Sequence, residues 1–241
     1  MKSIWVITKR ELSSFFDSLI AYVMIVIFLG LSGFFTWITS SNIFFIGQAD
    51  LQVFFGISYW TLFFFIPAIT MRTLAEETKS GTIELLSTKA VTDWQIVMGK
   101  FLSCLILVGI AVLCTIPYYI TVAKLGNIDH GGVIGGYFGL LLLSGMYISI
   151  GIFSSSITNN QIVAFLTALF IGIFFHILFQ LMASGSTGII AETLDYLSAR
   201  THFESISRGV FDSRDIIYFG TMILLGLYLS QAMLSKRNWH D

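Results

Sequence analysis

Residues 72–100, RTLAEETKSGTIELLSTKAVTDWQIVMGK, form a polar island between two runs of almost pure hydrocarbon. Arg72, Glu76, Glu77, Lys79, Glu84, Lys89, Asp93 and Lys100 mix both signs of charge across it. Such a segment cannot rest in lipid, so it projects into water and is free to touch something soluble. Thr73 and Glu76 have the spacing of a capping box, which lets a helix continue beyond the preceding apolar run. Gly81 can take positive φ without steric cost and so offers a turn. Thr82 to Thr88 predict a second short helix, with Ile83, Leu85 and Leu86 apolar and Glu84 polar. Thr92 and Gln95 make another capping box, Asp93 suits the positive end of a helix dipole, and Val91 can staple onto Ile96. The expectation is a helix–turn–helix elbow over residues 72–97, held between two membrane helices.

The flanking runs explain why the island stands out. The chain has 241 residues, 56% hydrophobic, 15% aromatic and only 11% charged, with a mean hydropathy of +0.84. A soluble domain carries about 25% charged residues, so the composition is that of a membrane protein. Six runs, near 18–40, 51–71, 98–123, 132–156, 160–182 and 214–235, meet the roughly 20 residues needed to cross the hydrocarbon. Their cores lack Asp, Glu, Lys and Arg, each of which would cost about 2.5–3.5 kcal/mol at a span's centre. The fold class that follows is an all-α integral membrane protein with six transmembrane helices, forming a single transmembrane domain.

Residues 1–17 are not a signal peptide, because the apolar run after them is too long and lacks a small-residue cleavage site. On a helical wheel Ile4, Trp5, Leu12, Phe15 and Phe16 share one face, with Lys9 and Arg10 off it. That pattern predicts an amphipathic helix lying at the membrane lipid interface. With the N-terminus inside, Lys2, Lys9, Arg10, Arg72, Lys79, Lys89, Lys100, Lys236 and Arg237 fall on one side; Lys124, Arg200, Arg208 and Arg214 fall on the other. The positive-inside rule therefore puts the elbow and both termini in the cytoplasm. Residues 183–213 form a second polar stretch on the extracytoplasmic side, with charges of mixed sign. There Thr201 and Glu204 have capping-box spacing and Gly209 can end a short helix before span six.

The spans hold few groups able to do chemistry. Pro67 and Pro117 each remove a backbone hydrogen bond, giving either a fixed kink or a hinge beside a pathway. Gly131, Gly135 and Gly139 form a smooth stripe where another helix can approach closely. His176 is the one titratable group at mid-membrane. A helix–helix hydrogen bond is the plainer reading for it, with a proton relay or ligand as the alternative. Ser144 with His176 could be imagined as an intramembrane protease, but Leu142 stands where a G-x-S-G pattern needs glycine. Cys104 and Cys114 lie in one apolar run, fit no zinc spacing and read as packing residues. A net charge of -1 gives no reason to expect nucleic acid. Gly99-Lys100 resembles the end of a P-loop, but Trp94 and Phe101 occupy the positions of its first glycine and its Ser/Thr. If ATP drives this protein, another chain binds it.

Glu77-Thr-Lys-Ser-Gly-Thr-Ile-Glu-Leu-Leu, then Lys-Ala-Val-Thr and Gly99-Lys100, resembles the E-x-x-x-G-T-[LI]-E-L-L…P-[VL]-[ST]…G-K signature of ABC-2 type transporter permeases. Ala90 stands where that pattern usually has proline. Arg10-Glu11-Leu…Phe15-Phe16-Asp-Ser-Leu-Ile-Ala-Tyr22, Ser32-Gly33-Phe-Phe and the stretch from Leu197 to Asp215 are most similar to the gliding-motility-associated permeases. Sodium- and copper-associated relatives share much of this pattern. The resemblance implies a type V exporter fold that pairs with a second permease subunit, as a homodimer or with a related chain. It also implies two ABC ATPase subunits, which bind ATP and Mg, so this chain needs no cofactor of its own. The elbow would be the coupling helix, with Glu76, Glu77, Gly81, Thr82, Glu84 and Leu85 as its docking surface. Spans two and five would line the central seam. Two uses of such a machine stay open: export of a hydrophobic or amphiphilic substrate, and mechanical work on a periplasmic partner.

Overall fold

The computed structural model describes residues 2–39, 49–82 and 91–237. Among these, six helices are long and apolar enough to cross a membrane, and no strand is present. Span 1 is Ile20–Trp37, span 2 Gln52–Thr70, span 3 Asp93–Leu113 continuing as Ile116–Leu125, span 4 His130–Ile157, span 5 Gln161–Ser184 and span 6 Ser213–Arg237. Span 3 begins at Asp93, behind the expected Thr92 cap, so its helix starts before the apolar run near 98. Thr92 Oγ1 accepts from Gln95 N, and the Gln95 side chain accepts from Thr92 N. Val91 packs beside Ile96, as expected of a hydrophobic staple.

Span 4 is the axis of the bundle. Its most apolar window is 72% buried, against 61% for spans 2 and 3 and 22–28% for spans 1, 5 and 6, which form the rim. Three spans are interrupted. Pro67 sits inside span 2, where its missing N–H removes one rung of a helix that runs on to Thr70. Span 3 breaks at Cys114 and Thr115, and Pro117 lies in the first turn of the helix that follows, where its missing N–H costs nothing. Span 5 contains a π turn, Phe174–Leu178.

The expected glycine stripe on span 4 does receive a helix, but a short one outside the spans. A Cβ on Gly135 would overlap the Ile206 carbonyl oxygen, and one on Gly139 would press on the Phe203 ring. At Gly131 a Cβ would meet only Asp129 of its own turn. The helix received is Ala199–Ser207, which with Ile189–Leu197 makes a pair at the end of the bundle away from the elbow. The capping box expected at Thr201 is absent. The helix starts earlier, at Ala199, so Thr201 is inside it and its hydroxyl donates instead to Asp195 Oδ1 at 2.8 Å. Gly209 does end the helix, with φ +82 and its N–H donating to Ile206 O. His202 joins this helix to span 6, its Nδ1 2.6 Å from Asp215 Oδ1 and its Nε2 2.8 Å from Tyr196 O.

The N-terminal helix Lys2–Asp17 packs on span 3 through most of the expected face, with Leu12 and Phe16 against the core, but rotated enough to bring Ile7 in and leave Trp5 out. Ile7 and Phe15 are buried while Trp5 is 61% exposed. Gly99 sets this rotation: a Cβ there would collide with Ile7, and Thr8 Oγ1 donates to Gly99 O at 3.2 Å. The closest approach thus falls on the Ile4–Ile7–Thr8–Glu11 line, which leaves Trp5 outside.

Candidate functional site

The elbow begins where span 2 ends. Met71–Leu74 make a turn, and Ala75–Lys79 a short helix. Gly81 follows at φ +69 with open space around it, so it has the positive-φ turn geometry foreseen from sequence. Glu84 and Leu85, with the rest of the second short helix expected over Thr82–Thr88, lie outside the described residues.

The capping box expected at Thr73 and Glu76 does not form. Thr73 Oγ1 donates back to Thr70 O at 2.7 Å, and Glu76 pairs with Arg72 at 2.8 Å on the surface. The elbow helix is capped from span 4 instead. Ser155 Oγ accepts from Leu74 N at 3.1 Å and Ala75 N at 2.9 Å, and donates to Met71 O at 3.0 Å. One hydroxyl therefore satisfies three backbone groups at a buried helix start, where unmet partners would be costly. Gly151, one turn earlier on span 4, lies so close to span 2 that a Cβ would overlap Thr70.

Beneath the elbow lies a cluster of four charges from three elements. Lys100 of span 3 is 1% exposed, with Nζ 2.9 Å from Glu77 Oε1 and 3.5 Å from Glu11 Oε2. Arg10 Nη2 lies 2.6 Å from Glu11 Oε1 and 3.4 Å from Glu77 Oε1. Two cations and two carboxylates make the cluster neutral, which is what allows a lysine to be buried here. Lys100 Nζ and Glu77 Oε2 have no aligned hydrogen-bond partner, so the Lys100–Glu77 attraction is one of charge rather than of an aligned N–H···O bond. The Glu11 hydrogen bond raises Arg10 above its ordinary value; partial burial opposes the rise, and the charges of Glu11 and Glu77 add to it.

The four docking candidates that are described therefore separate. Glu77 turns inward to Lys100 and Arg10, its side chain 18% exposed. Glu76 stays at the surface with Arg72, while Gly81 and Thr82 are exposed, with Thr82 Oγ1 2.9 Å from Ser80 Oγ. A cleft of about 500 Å³ runs between the N-terminal helix and the elbow, lined by Arg10, Glu11, Arg72, Glu76, Glu77 and Thr82 among others. Sequence reasoning missed the roles of Lys100, Glu11 and Ser155. The one available signal was Lys100 itself, a charge about two turns inside an apolar helix, where a partner is needed.

His176 is buried where spans 2, 4 and 5 meet. Its Nδ1 is 2.7 Å from Tyr147 Oη, and its ring is stacked between Tyr59 and Phe63 at 4.1 and 4.2 Å. The π turn frees carbonyls from the helix ladder, and Tyr59 Oη donates to His176 O at 2.9 Å. This is the helix–helix bond expected of it. Ser144 Oγ donates to Leu140 O at 2.6 Å within its own helix, and His176 is engaged with Tyr147 instead. Among the described residues no three of His, Cys, Asp and Glu gather as a metal site.

Residues 5–229 match the family model described as ABC-2 family transporter protein. Among curated proteins nothing matches the chain. Members of this family are membrane components of ABC transporters, generally not catalytic themselves, and normally work with an ABC ATPase subunit. The match covers nearly the whole chain and the six apolar helices agree with it, so the chain belongs to the ABC-2 transporter family as a multi-pass membrane permease.

Proposed function

We propose that this permease transmits the work of ATP hydrolysis, carried out by a separate ATPase subunit, through the elbow between spans 2 and 3. The observation that carries this reading is the contrast between the elbow's anchored base and the exposed stretch that follows it. Ser155 and the Lys100 cluster tie the base to spans 3 and 4 and to the N-terminal helix, while Lys79 to Thr82 stand exposed. A partner can push usefully only on a rigid handle, and this one is fixed at its root. Docking falls to Glu76, Gly81, Thr82, Glu84 and Leu85, with Glu77 holding the elbow from behind.

In this reading the elbow and both termini face the cytoplasm of a bacterial inner membrane. Two ATPase subunits bind ATP and Mg, two permease subunits meet along spans 2 and 5, and ATPase closure shifts the bundle between two arrangements. The sequence pattern favours the gliding-motility-associated subgroup. Export of a hydrophobic or amphiphilic substrate suits the uncharged spans. Mechanical work on a periplasmic partner is the second reading, favoured by the ordered helix pair at the opposite end.

Gly81→Pro and Glu84→Lys test the docking role in a complex purified with its ATPase. At Gly81 the φ of +69 is closed to proline, whose φ is near −65°. Both variants should lose ATPase binding or the permease's effect on hydrolysis rate. Unchanged assembly and unchanged ATP turnover in both would reject the elbow as the docking site. ATP-driven flux in liposomes then separates export from mechanical work.

A further inference from the structure

We propose that spans 4 and 6 form one rigid strut joining the elbow to the helix pair at the opposite end, with Ser155 and Ser235 as the positioning residues that fix the elbow to it. This rests on the coupling reading above and adds the route that the movement takes.

Spans 1, 4 and 6 are unbroken, and of these span 1 packs on spans 2 and 3 while spans 4 and 6 meet the far-end helix Ala199–Ser207. Span 2 carries Pro67, span 3 breaks at Cys114 and Thr115, and span 5 contains the π turn, all of them places where a helix bends. Span 4 runs unbroken for 28 residues and span 6 for 25, which is roughly 42 and 37 Å. The two lie in near-backbone contact. A Cβ on Gly226 would come within 2.6 Å of Ser149 Oγ, and one on Gly145 within 2.8 Å of Ile223. In this reading the two, locked at these glycines, move as one body; span 2 comes as close to span 4 at Gly136 and Gly151 but carries Pro67.

Both ends of the pair are attached. On the elbow side, Ser155 of span 4 holds Met71, Leu74 and Ala75 where the chain enters the elbow. Ser235 of span 6 donates to Asp93 Oδ2 at 2.9 Å where the chain leaves it. At the far end, the glycine face of span 4 receives the backbone at Ile206. From span 6, Asp215 meets His202, and Tyr218 Oη donates to Leu197 O at 2.7 Å. Force applied to the elbow is thus delivered to the helix pair, while the interrupted spans absorb the bending.

Distances between spin labels test this in the complex with the ATPase subunit, labelled permease being diluted with unlabelled. In a Cys114→Ser background, labels at Ser80→Cys and Glu192→Cys span the elbow and the helix pair. Labels at Leu166→Cys and Glu192→Cys compare the helix pair with span 5. Nucleotide trapping should leave the first distance unshifted and move the second. In the Ser155→Ala/Ser235→Ala double variant the first distribution should broaden and the second should stop responding, with the ATPase still co-purifying. The strut is refuted, and coupling survives, if the elbow-to-helix-pair distance in the wild type shifts as much as the other, or if the double variant behaves like wild type. If neither wild-type distance responds while the ATPase is bound, coupling itself fails and the strut with it. Should the double variant not fold, the wild-type comparison alone decides.

Discussion

Lys100→Met removes the buried cation beneath the elbow with little change in volume. Glu77 and Glu11, only 18% and 15% exposed, would then face each other with Arg10 as their remaining counter-charge. Breaking a buried ion pair from one side costs about 3–5 kcal/mol. Arg10 still contacts both carboxylates but is half exposed, and the carboxylates keep some water, so we expect about 2–4 kcal/mol. Glu77→Gln should cost a similar amount, because Lys100 would keep only Glu11 at 3.5 Å. In the Lys100→Met/Glu77→Gln double variant neither orphaned charge of this pair is left, so the cost should fall at least about 1 kcal/mol below the sum of the singles. Reversible unfolding of the purified permease in detergent gives the three values. Additivity within about 0.5 kcal/mol would show that the pair does not act as a unit and would refute the view of it as the elbow's anchor.

The two threonines of the island separate the cap that forms from the one that does not. Thr92→Ala should cost about 1 kcal/mol of stability by loss of its capping box, and Thr73→Ala less, in the same unfolding assay. Gly135→Ala sets a methyl against the Ile206 carbonyl and should destabilise by about 1–3 kcal/mol. Gly109→Ala, with nothing within 4 Å, should be neutral or stabilising by up to about 1 kcal/mol; melting temperatures in detergent rank the two. Tyr59→Phe leaves His176 O without its donor and should cost roughly 0.6–1.7 kcal/mol, and equal stability of that variant and wild type would show the bond to be dispensable.

Much of the architecture could be read locally. A span declares itself by about 20 residues without charge, and that requirement comes from the bilayer rather than from the rest of the chain. The start of span 3 at Thr92 and the turns at Gly81 and Gly209 were equally legible, because each depends on atoms within a few residues. The same logic failed where another group competed for the cap. Thr73 and Thr201 have the spacing of a cap, yet Ser155, 80 residues beyond Ala75, serves the elbow helix, and Asp195 takes the Thr201 hydroxyl.

The amphipathic leader shows where the boundary lies. Its helix was clear from sequence, but the face it buries depends on Gly99, where Ile7 and the backbone of Ile4 approach span 3 closely. Sequence alone determined the number of spans, the polar elbow and its family resemblance, because hydrophobic length and motif spacing are properties of neighbouring residues. Only the tertiary structure decided that Glu77 turns inward, that Lys100 is buried, and that span 4 caps the elbow. Charge pairing and backbone capping are settled by which groups meet across the bundle, and spacing along the chain does not encode that.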